Sequence, residues 1–528
     1  MYVHTGQDTY ATDKMMEDEF LVSPMQLMEV AGKNVADQIL KYTNPTVRTA
    51  LIAIGPGNNG GDGMVVARFL VSQGWSILVV PALPLDTSTG PAKKNYQILQ
   101  KICQNPIFHS QILGPYSICS LTEEVVRSYL QKNTTCIIVD ALFGVGLKRP
   151  ITGKTAELIQ ILNSAGRPII SIDMPSGISS ETGSIVGAFH TSAIKADFTV
   201  TFEAPKIGHL LYPGKQYTGT LLVTKIGILH PALEKQSPYT TILDEHQLTT
   251  FIKPRPNHSH KGLFGRVYCI CGSSPYKGAL TFSLLGAMHA GAGLITACYK
   301  ETNELLLSSS VIPEATHFLI PVKNDHYTTH SYAHFVHHVH PSSIVCIGSG
   351  LGREMDIQEF CRHLYLQLPN PMVLDADALW AIRNHLSDTR CGPRIVTPHL
   401  GEMSYLTNTS VDDIQKNLVE IAIEYAKKWQ MIVVLKSSTT VVADPTGSCY
   451  INNYSSSALA QGGAGDVLAG TIAGFMAQRY SSYHACILSV ALHSLAAIEM
   501  EQDLTSWASS TSTLPTYYGT LLHRIVNT

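Results

Sequence analysis

Apolar positions along the chain fall into two alternating patterns. Short runs rich in Val, Ile and Leu, bounded by Gly, Pro or Asp, predict buried strands at 51–54, 77–80, 137–139, 169–172, 198–202 and 221–224. A second set follows at 267–271, 344–347, 372–374, 394–397 and 432–435. Between most of them lie amphipathic stretches of helical period. Ser23-Pro24 offers an N-cap and a helix-compatible first position, after which Leu27, Ala31, Val35 and Ile39 recur every four residues and predict a core-facing helix. The run 278–299 carries no formal charge but contains His289 and several Gly, so it predicts a buried helix entering a strand, not a membrane span. Helices are expected from Asp466 onward, with 506–512 as a Ser/Thr-rich loop before a last short helix. Alternating strands and helices predict an α/β protein of two halves, each with a parallel sheet and helical crossovers. The joint falls near 228–245, giving domains at 1–235 and 236–528, and the stiff stretch Lys253-Pro254-Arg255-Pro256 opens the second half. In such sheets ligands gather at the carboxyl ends of the strands.

Composition narrows the function classes. At 528 residues the chain exceeds one ordinary domain and suits two large α/β units. Lys+Arg number 37 and Asp+Glu 40, a balance that excludes a polyanion-coating protein, so neither nucleic acid nor a membrane is an expected partner. The 11 Cys include no CxxC pair, and the first twenty residues lack an apolar signal core, so a reducing cytoplasm is expected. Cys269 and Cys271 share one face of a strand and read as core. His326, His330, His334, His337, His338 and His340 include helical spacings suited to a metal, but no Cys or carboxylate is interleaved after Asp325, and a solvated polar face explains them.

Candidate chemistry begins with Gly55-Pro56-Gly57-Asn58-Asn59-Gly60-Gly61-Asp62-Gly63, between a strand and the amphipathic run 64–71. Its amides and the helix N-terminus can converge on a pyrophosphate. The spacing alone would suit a dinucleotide dehydrogenase, yet Val80-Pro81 ends the second strand without the ribose-binding carboxylate, and Asp86 comes late. A bare glycine turn needs no ligand, but Asn58, Asn59 and Asp62 add oxygen ligands that a simple turn does not require. Two further strand ends are polar: Asp140, leading into Gly144-Val145-Gly146, and Asp173, leading into Ser176-Gly177. One such Asp is an ordinary cap or turn former; three polar strand ends around one crevice favour a site. Asn59, Asp140 and Ser176 offer only oxygen and a single carboxylate, which suits K⁺ better than Zn²⁺.

In the second half, Gln461-Gly462-Gly463-Ala464-Gly465-Asp466 places a glycine loop at a helix start. The loop can cradle a transferred phosphoryl group while Asp466 accepts a proton from the attacking hydroxyl; the alternative is a glycine-rich helix entry with a dipole-favoured Asp. No Walker G-x-x-x-x-G-K-[ST] occurs, which argues against a P-loop kinase.

These segments carry a resemblance. Met25 to Gly32, the 55–63 loop, Val139 to Pro150 and Asp173 to Gly177, in that order, resemble the NAD(P)H-hydrate epimerases over about residues 1–230. The resemblance implies a Rossmann-like doubly wound sheet. It implies substrate contacts from Asn58, Asn59, Gly60, Gly61, Asp62, Gly144, Val145, Gly146, Leu147, Lys148, Arg149, Pro150 and Asp173, with K⁺ on Asn59, Asp140 and Ser176 and Asp173 as the proton-transfer residue. His260-Lys261-Gly262, the 272–279 segment, Gly348 to Gly352, Asp375 to Leu379, Pro398 to Glu402 and Lys436 to Thr440 resemble the ADP/ATP-dependent NAD(P)H-hydrate dehydratases, with a ribokinase-like fold, over about residues 240–500. That similarity implies that Ala279, Gly350, His399 and Asp466 face the hydrated nucleotide and that Lys436, Ser437, Ser438, Thr439, Thr440 and Gly465 bind ADP or ATP with Mg²⁺. Ser437, Ser349 and Ala464 depart from the Gly, Pro and Thr usual there.

The fusion resembles the bifunctional NAD(P)H-hydrate repair enzymes of bacteria, implying epimerisation of R and S NADHX and NADPHX, then dehydration of the S form; a homo-oligomer is expected. Phosphorylating the ring hydroxyl would make it a good leaving group, and a site in line with one hydroxyl accepts one isomer, which an epimerase supplies. Two other functions keep the same loops: a vitamin or sugar kinase fused to a nucleotide-binding domain, and a dinucleotide-sensing scaffold without turnover.

Overall fold

The computed structural model describes residues 1–83, 87–105, 112–113, 123–187, 193–229, 240–302 and 312–527. They belong to two compact units, Tyr2–Ser237 and Pro238–Thr528. Asp86 and the expected joint at 235/236 lie outside the described residues.

In the first unit β1 (Thr49–Ile54), β2 (Ser76–Pro81), β3 (Ile112–Leu113), β4 (Ile137–Ala141), β5 (Ile169–Ile172), β6 (Phe198–Phe202) and β7 (Thr220–Thr224) form one sheet. The order is β3-β2-β1-β4-β5-β6-β7, and every pairing is parallel. Chain order reverses between β1 and β4, the switch point at which a doubly wound sheet opens a crevice. Near-continuous Ile, Val and Leu in β1, β4 and β5 leave these strands buried on both faces, as helical cover requires. Helices α1 (Gly6–Phe20) and α2 (Pro24–Tyr42) both start in capping boxes, at Thr5 and Ser23. Leu27, Ala31, Val35 and Ile39 are buried along α2, as their spacing predicts.

Helix α3 (Asn58–Ser72) starts earlier than the amphipathic run suggested, so most of the expected glycine loop is helix. Close packing explains the glycines: a Cβ on Gly60 would stand 1.8 Å from the Gly55 carbonyl oxygen, and one on Gly63 2.5 Å from the Ala141 Cβ. Only Gly55-Pro56-Gly57 remains as the turn that ends β1.

The second unit is built on β8 (Arg266–Ile270), β9 (Leu294–Lys300), β10 (Thr316–Ile320), β11 (Ile344–Ile347), β12 (Met372–Leu374), β13 (Arg394–Val396), β14 (Ile432–Leu435), β15 (Val441–Ala443) and β16 (Cys449–Ile451). Their order is β16-β15-β14-β13-β12-β11-β8-β9-β10, parallel except for the antiparallel steps at β14, β15 and β16. The 278–299 run resolves into a helix, Lys277–His289, and β9. The helix Ser482–Ala508 is long and apolar enough to cross a membrane, but 78% of its apolar window is buried, as in a core helix. It also takes in 506–508, which the sequence suggested as loop, before the last helix at Tyr517–Asn527. Cys269 and Cys271 are buried thiols of this core. His330, His334 and His338 line one face of the helix Thr329–His338, and no metal-holding group of three His, Cys, Asp or Glu exists among the described residues.

Candidate active sites

The turn after β1, the Leu142–Arg149 segment after β4 and the strand end at Asp173 meet at the switch point around a cavity of about 590 Å³. Asn58, Asn59, Asp62, Gly144 to Arg149 and Asp173 line it as expected from sequence. Gly60, Gly61 and Pro150 are not in its lining: the two glycines serve helix packing, and Pro150 faces Gly187. Helix α1 supplies a wall that sequence reasoning missed, with Thr9, Tyr10, Thr12 and Asp13.

Asp173 leaves β5 with φ 61°, a left-handed conformation that a non-glycine residue holds only when its surroundings impose it. Its surroundings are specific. Lys206 Nζ donates to Asp173 Oδ1 at 2.6 Å, Thr201 Oγ1 donates to the same oxygen at 3.0 Å, and His209 Nε2 donates to the Asp173 carbonyl at 2.7 Å. Burial alone would raise the Asp173 carboxyl, but the Lys206 ammonium and the Thr201 hydroxyl hold it below its usual range. Burial and the Lys206 charge push His209 down to about 3, leaving a neutral ring whose Nδ1 accepts from the Lys206 amide at 3.0 Å. Lys206 was missed because it follows β6, far from Asp173 in sequence; its one signal is a charged residue between Pro205 and the apolar Ile207.

Two other acids of the cavity, Asp62 and Asp13, move the opposite way. Burial, with the Asp173 and Asp13 charges, pushes Asp62 well above the carboxylate range, and burial with Asp173 brings Asp13 up to about 6. Beside the cavity, Asp140 is fully buried and accepts from Ser171 Oγ at 2.8 Å, Ser176 N at 2.9 Å and Ser176 Oγ at 2.6 Å. The side-chain oxygen and nitrogen of Asn59 are buried without a hydrogen bond among the described residues. An orphaned amide oxygen and a buried carboxylate served only by neutral donors fit a weakly charged oxygen-seeking cation, the donor set expected for K⁺.

In the second unit the carboxyl ends of β11 to β14 and the start of the helix Ala464–Ala477 carry the polar cluster. Lys436 Nζ pairs with Asp375 Oδ1 at 2.7 Å, and Asp375 also accepts from Thr397 Oγ1 at 2.6 Å and Ser349 Oγ at 3.1 Å. A Cβ on Gly465 would stand 3.1 Å from Lys436 Nζ, so the lysine lies against the glycine loop. Burial and the Asp375 charge push Asp466 up to about 7, while Lys436 and the Ser349 hydroxyl draw it down. Gly350, at φ 64°, packs so closely on Ala279 that a Cβ would lie 2.8 Å from the alanine methyl.

His399 caps its helix, its Nδ1 accepting from Gly401 N at 3.0 Å and Glu402 N at 3.2 Å; burial and Lys436 lower its pKa. Of the departures, Ser437 turns its hydroxyl back on Thr439, donating to the carbonyl at 2.7 Å, and Ser349 binds Asp375. Thr439 is buried and Ser438 exposed. Asp375, not singled out as a site residue from sequence, is the centre of this cluster.

Residues 24–208 match the family described as YjeF-related protein N-terminus, and residues 267–517 match the NAD(P)H-hydrate dehydratases. A bifunctional NAD(P)H-hydrate repair enzyme of Moorella thermoacetica is 33% identical over 94% of this chain and 92% of its own length. The Escherichia coli enzyme of the same description is 30% identical over 95% and 89%. Among solved structures, an ADP/ATP-dependent NAD(P)H-hydrate dehydratase from Bacillus subtilis, co-crystallised with ATP and Mg²⁺, is similar at 30% identity and a TM-score of 0.48, covering 53% of this chain and 97% of that one. With both halves matched in one chain at this coverage, the chain belongs to the bifunctional NAD(P)H-hydrate repair enzymes.

Proposed function

We propose that the first unit interconverts the R and S hydrates of NADH and NADPH and that the second dehydrates the S form to NAD(P)H at the expense of ADP or ATP. The observation that supports this is the presence, in one chain, of two clusters built on a buried Asp–Lys pair, each on the segment matched to one half of the repair enzymes. In the first, Asp173 is the charged base, with Asn58, Asn59, Asp62 and Gly144 to Arg149 holding the dinucleotide. Asn59 and Asp140, with Ser176, are the proposed K⁺ ligands; the ion would supply fixed positive charge beside the phosphates.

In the second unit, Asp466 takes the proton of the ring hydroxyl as its oxygen attacks the terminal phosphoryl group. Amides at the start of the helix Ala464–Ala477 meet the transferred charge. The ring nitrogen then expels phosphate, a better leaving group than hydroxide, and loss of a ring proton restores NAD(P)H. Lys436 to Thr440 and Gly465 are the proposed nucleotide contacts, Mg²⁺ arriving with ADP or ATP. Ala279, Gly350 and His399 would face the hydrated ring.

Supplying an equal mixture of both hydrate epimers with ATP or ADP and following NADH absorbance tests this directly. Full recovery of NADH is expected; a stable phosphorylated alcohol would instead identify a kinase, and no turnover a binding scaffold. Asp466→Asn is expected to lower dehydration by about 100- to 10,000-fold, the usual worth of a general base, with epimer exchange intact.

A further inference from the structure

Inverting the hydroxyl-bearing carbon of the hydrated ring requires a bond at that carbon to break and re-form. The hydroxyl and the ring nitrogen share this carbon, so ring opening is available. A base removes the hydroxyl proton, the C–O bond becomes a carbonyl, and the C–N bond breaks with its electron pair going to nitrogen, which takes up a proton. Rotation presents the other carbonyl face, nitrogen adds back, and both protons return. Nothing is oxidised or reduced, but one base and one acid are both needed.

Asp173, kept charged by Lys206, can serve only as the base. Lys206 is no acid for the substrate, because its three N–H bonds go to Asp173 Oδ1 at 2.6 Å, Thr201 Oγ1 at 2.9 Å and the Phe202 carbonyl at 3.3 Å. We propose that Asp13, on the α1 wall of the same cavity, is the acid that protonates the ring nitrogen and takes the proton back on ring closure. This rests on the epimerase function proposed above.

Helix α1 lies before residue 24, where the family match begins, yet it closes one side of the cavity. The Asp13 carboxyl has no hydrogen bond or ion pair among the described residues, so its proton is committed to nothing else. The charged and titratable groups that act on it are Asp173 and Lys206, just after β5 and β6, Asp62 from α3 and Tyr10 from its own helix; His4, Lys148, Arg149 and Glu203 line the same cavity. Burial and the Asp173 carboxylate favour the protonated form that an acid requires, against one ammonium, Lys206, that is already bound to Asp173. Asp62 sees the same charges from a fully buried position, where giving up its proton is costlier.

The test follows epimer exchange of the purified S hydrate by the full chain, without ADP or ATP, across pH. The unaltered chain is expected to slow as pH rises above about 6, where Asp13 loses its proton. Asp13→Asn is expected to exchange about 100- to 10,000-fold more slowly and to lose that pH dependence, with its melting temperature and its Kd for the hydrate unchanged. Asp62→Asn is expected to keep the dependence. Exchange by Asp13→Asn at the normal rate, or a dependence that survives there and vanishes in Asp62→Asn, overturns the proposal. If the unaltered chain exchanges nothing, the epimerase function itself fails; if it does and Asp173→Asn alone is inactive, only the role of Asp13 falls.

Discussion

In the first unit Lys206 Nζ lies 2.6 Å from Asp173, and a threonine hydroxyl, Thr201, completes the contact at 3.0 Å. In the second unit Lys436 Nζ makes the equivalent contact, 2.7 Å, with Asp375, completed by Thr397 at 2.6 Å. The structural counterpart of Asp173 is thus Asp375, and Asp466 is an additional carboxyl placed beside a pair that is already neutral. Asp173 is held below the ordinary carboxylate range, whereas Asp466, buried and facing Asp375, rises to about 7. The same residue types give a permanently charged aspartate when the lysine is its direct partner and one that titrates near neutrality when another carboxylate takes the lysine.

The largest expected effect removes the lysine that sets the first arrangement. Lys206→Met leaves Asp173 buried without its cation, and breaking such a pair typically costs about 3–5 kcal/mol. Urea unfolding should show that loss, and epimer exchange should fall by two orders of magnitude or more, while NADH recovery from pure S hydrate stays normal. An unchanged exchange rate would mean that the charge on Asp173 does not matter.

A smaller effect converts the second arrangement towards the first. Dehydration of the S hydrate should rise with pH through about 7, because Asp466 must lose its proton to act as a base. Asp375→Asn removes the charge that raises Asp466 and frees Lys436 to pair with it, so the rising limb should move to lower pH. A limb that stays in place would separate Asp466 from the pH dependence. Smallest is Ser349→Ala: the lost hydroxyl, worth about 1 kcal/mol as a single hydrogen bond, should move the same limb slightly upward, since Ser349 draws Asp466 down.

Strand cores such as 169–172 and 344–347 were legible because short runs dominated by Ile and Val between turn residues have little alternative to a buried strand, and both appear at the expected residues. The Val441–Ala443 and Cys449–Ile451 hairpin was missed although Asp444-Pro445-Thr446-Gly447 is a turn signal, because each strand is only three residues long. Within the sites, sequence marked residues at strand ends and glycine turns, where polar groups break an apolar pattern. It could not mark Lys206, Asp375 or Asp13 as partners. Lys206 and Asp375 matter through contacts the sheets create across 33 and 61 positions, and Asp13 lies on a helix that the apolar pattern did not mark.

The account depends on two separable sites acting on one substrate, and an Asp173→Ala chain given equal amounts of the two hydrate epimers with ATP tests that most directly. NADH recovery should run at the normal rate to half of the pool and then stop, apart from slow spontaneous epimerisation, and adding unaltered chain should complete it. Consumption of both epimers at the normal rate would contradict the account.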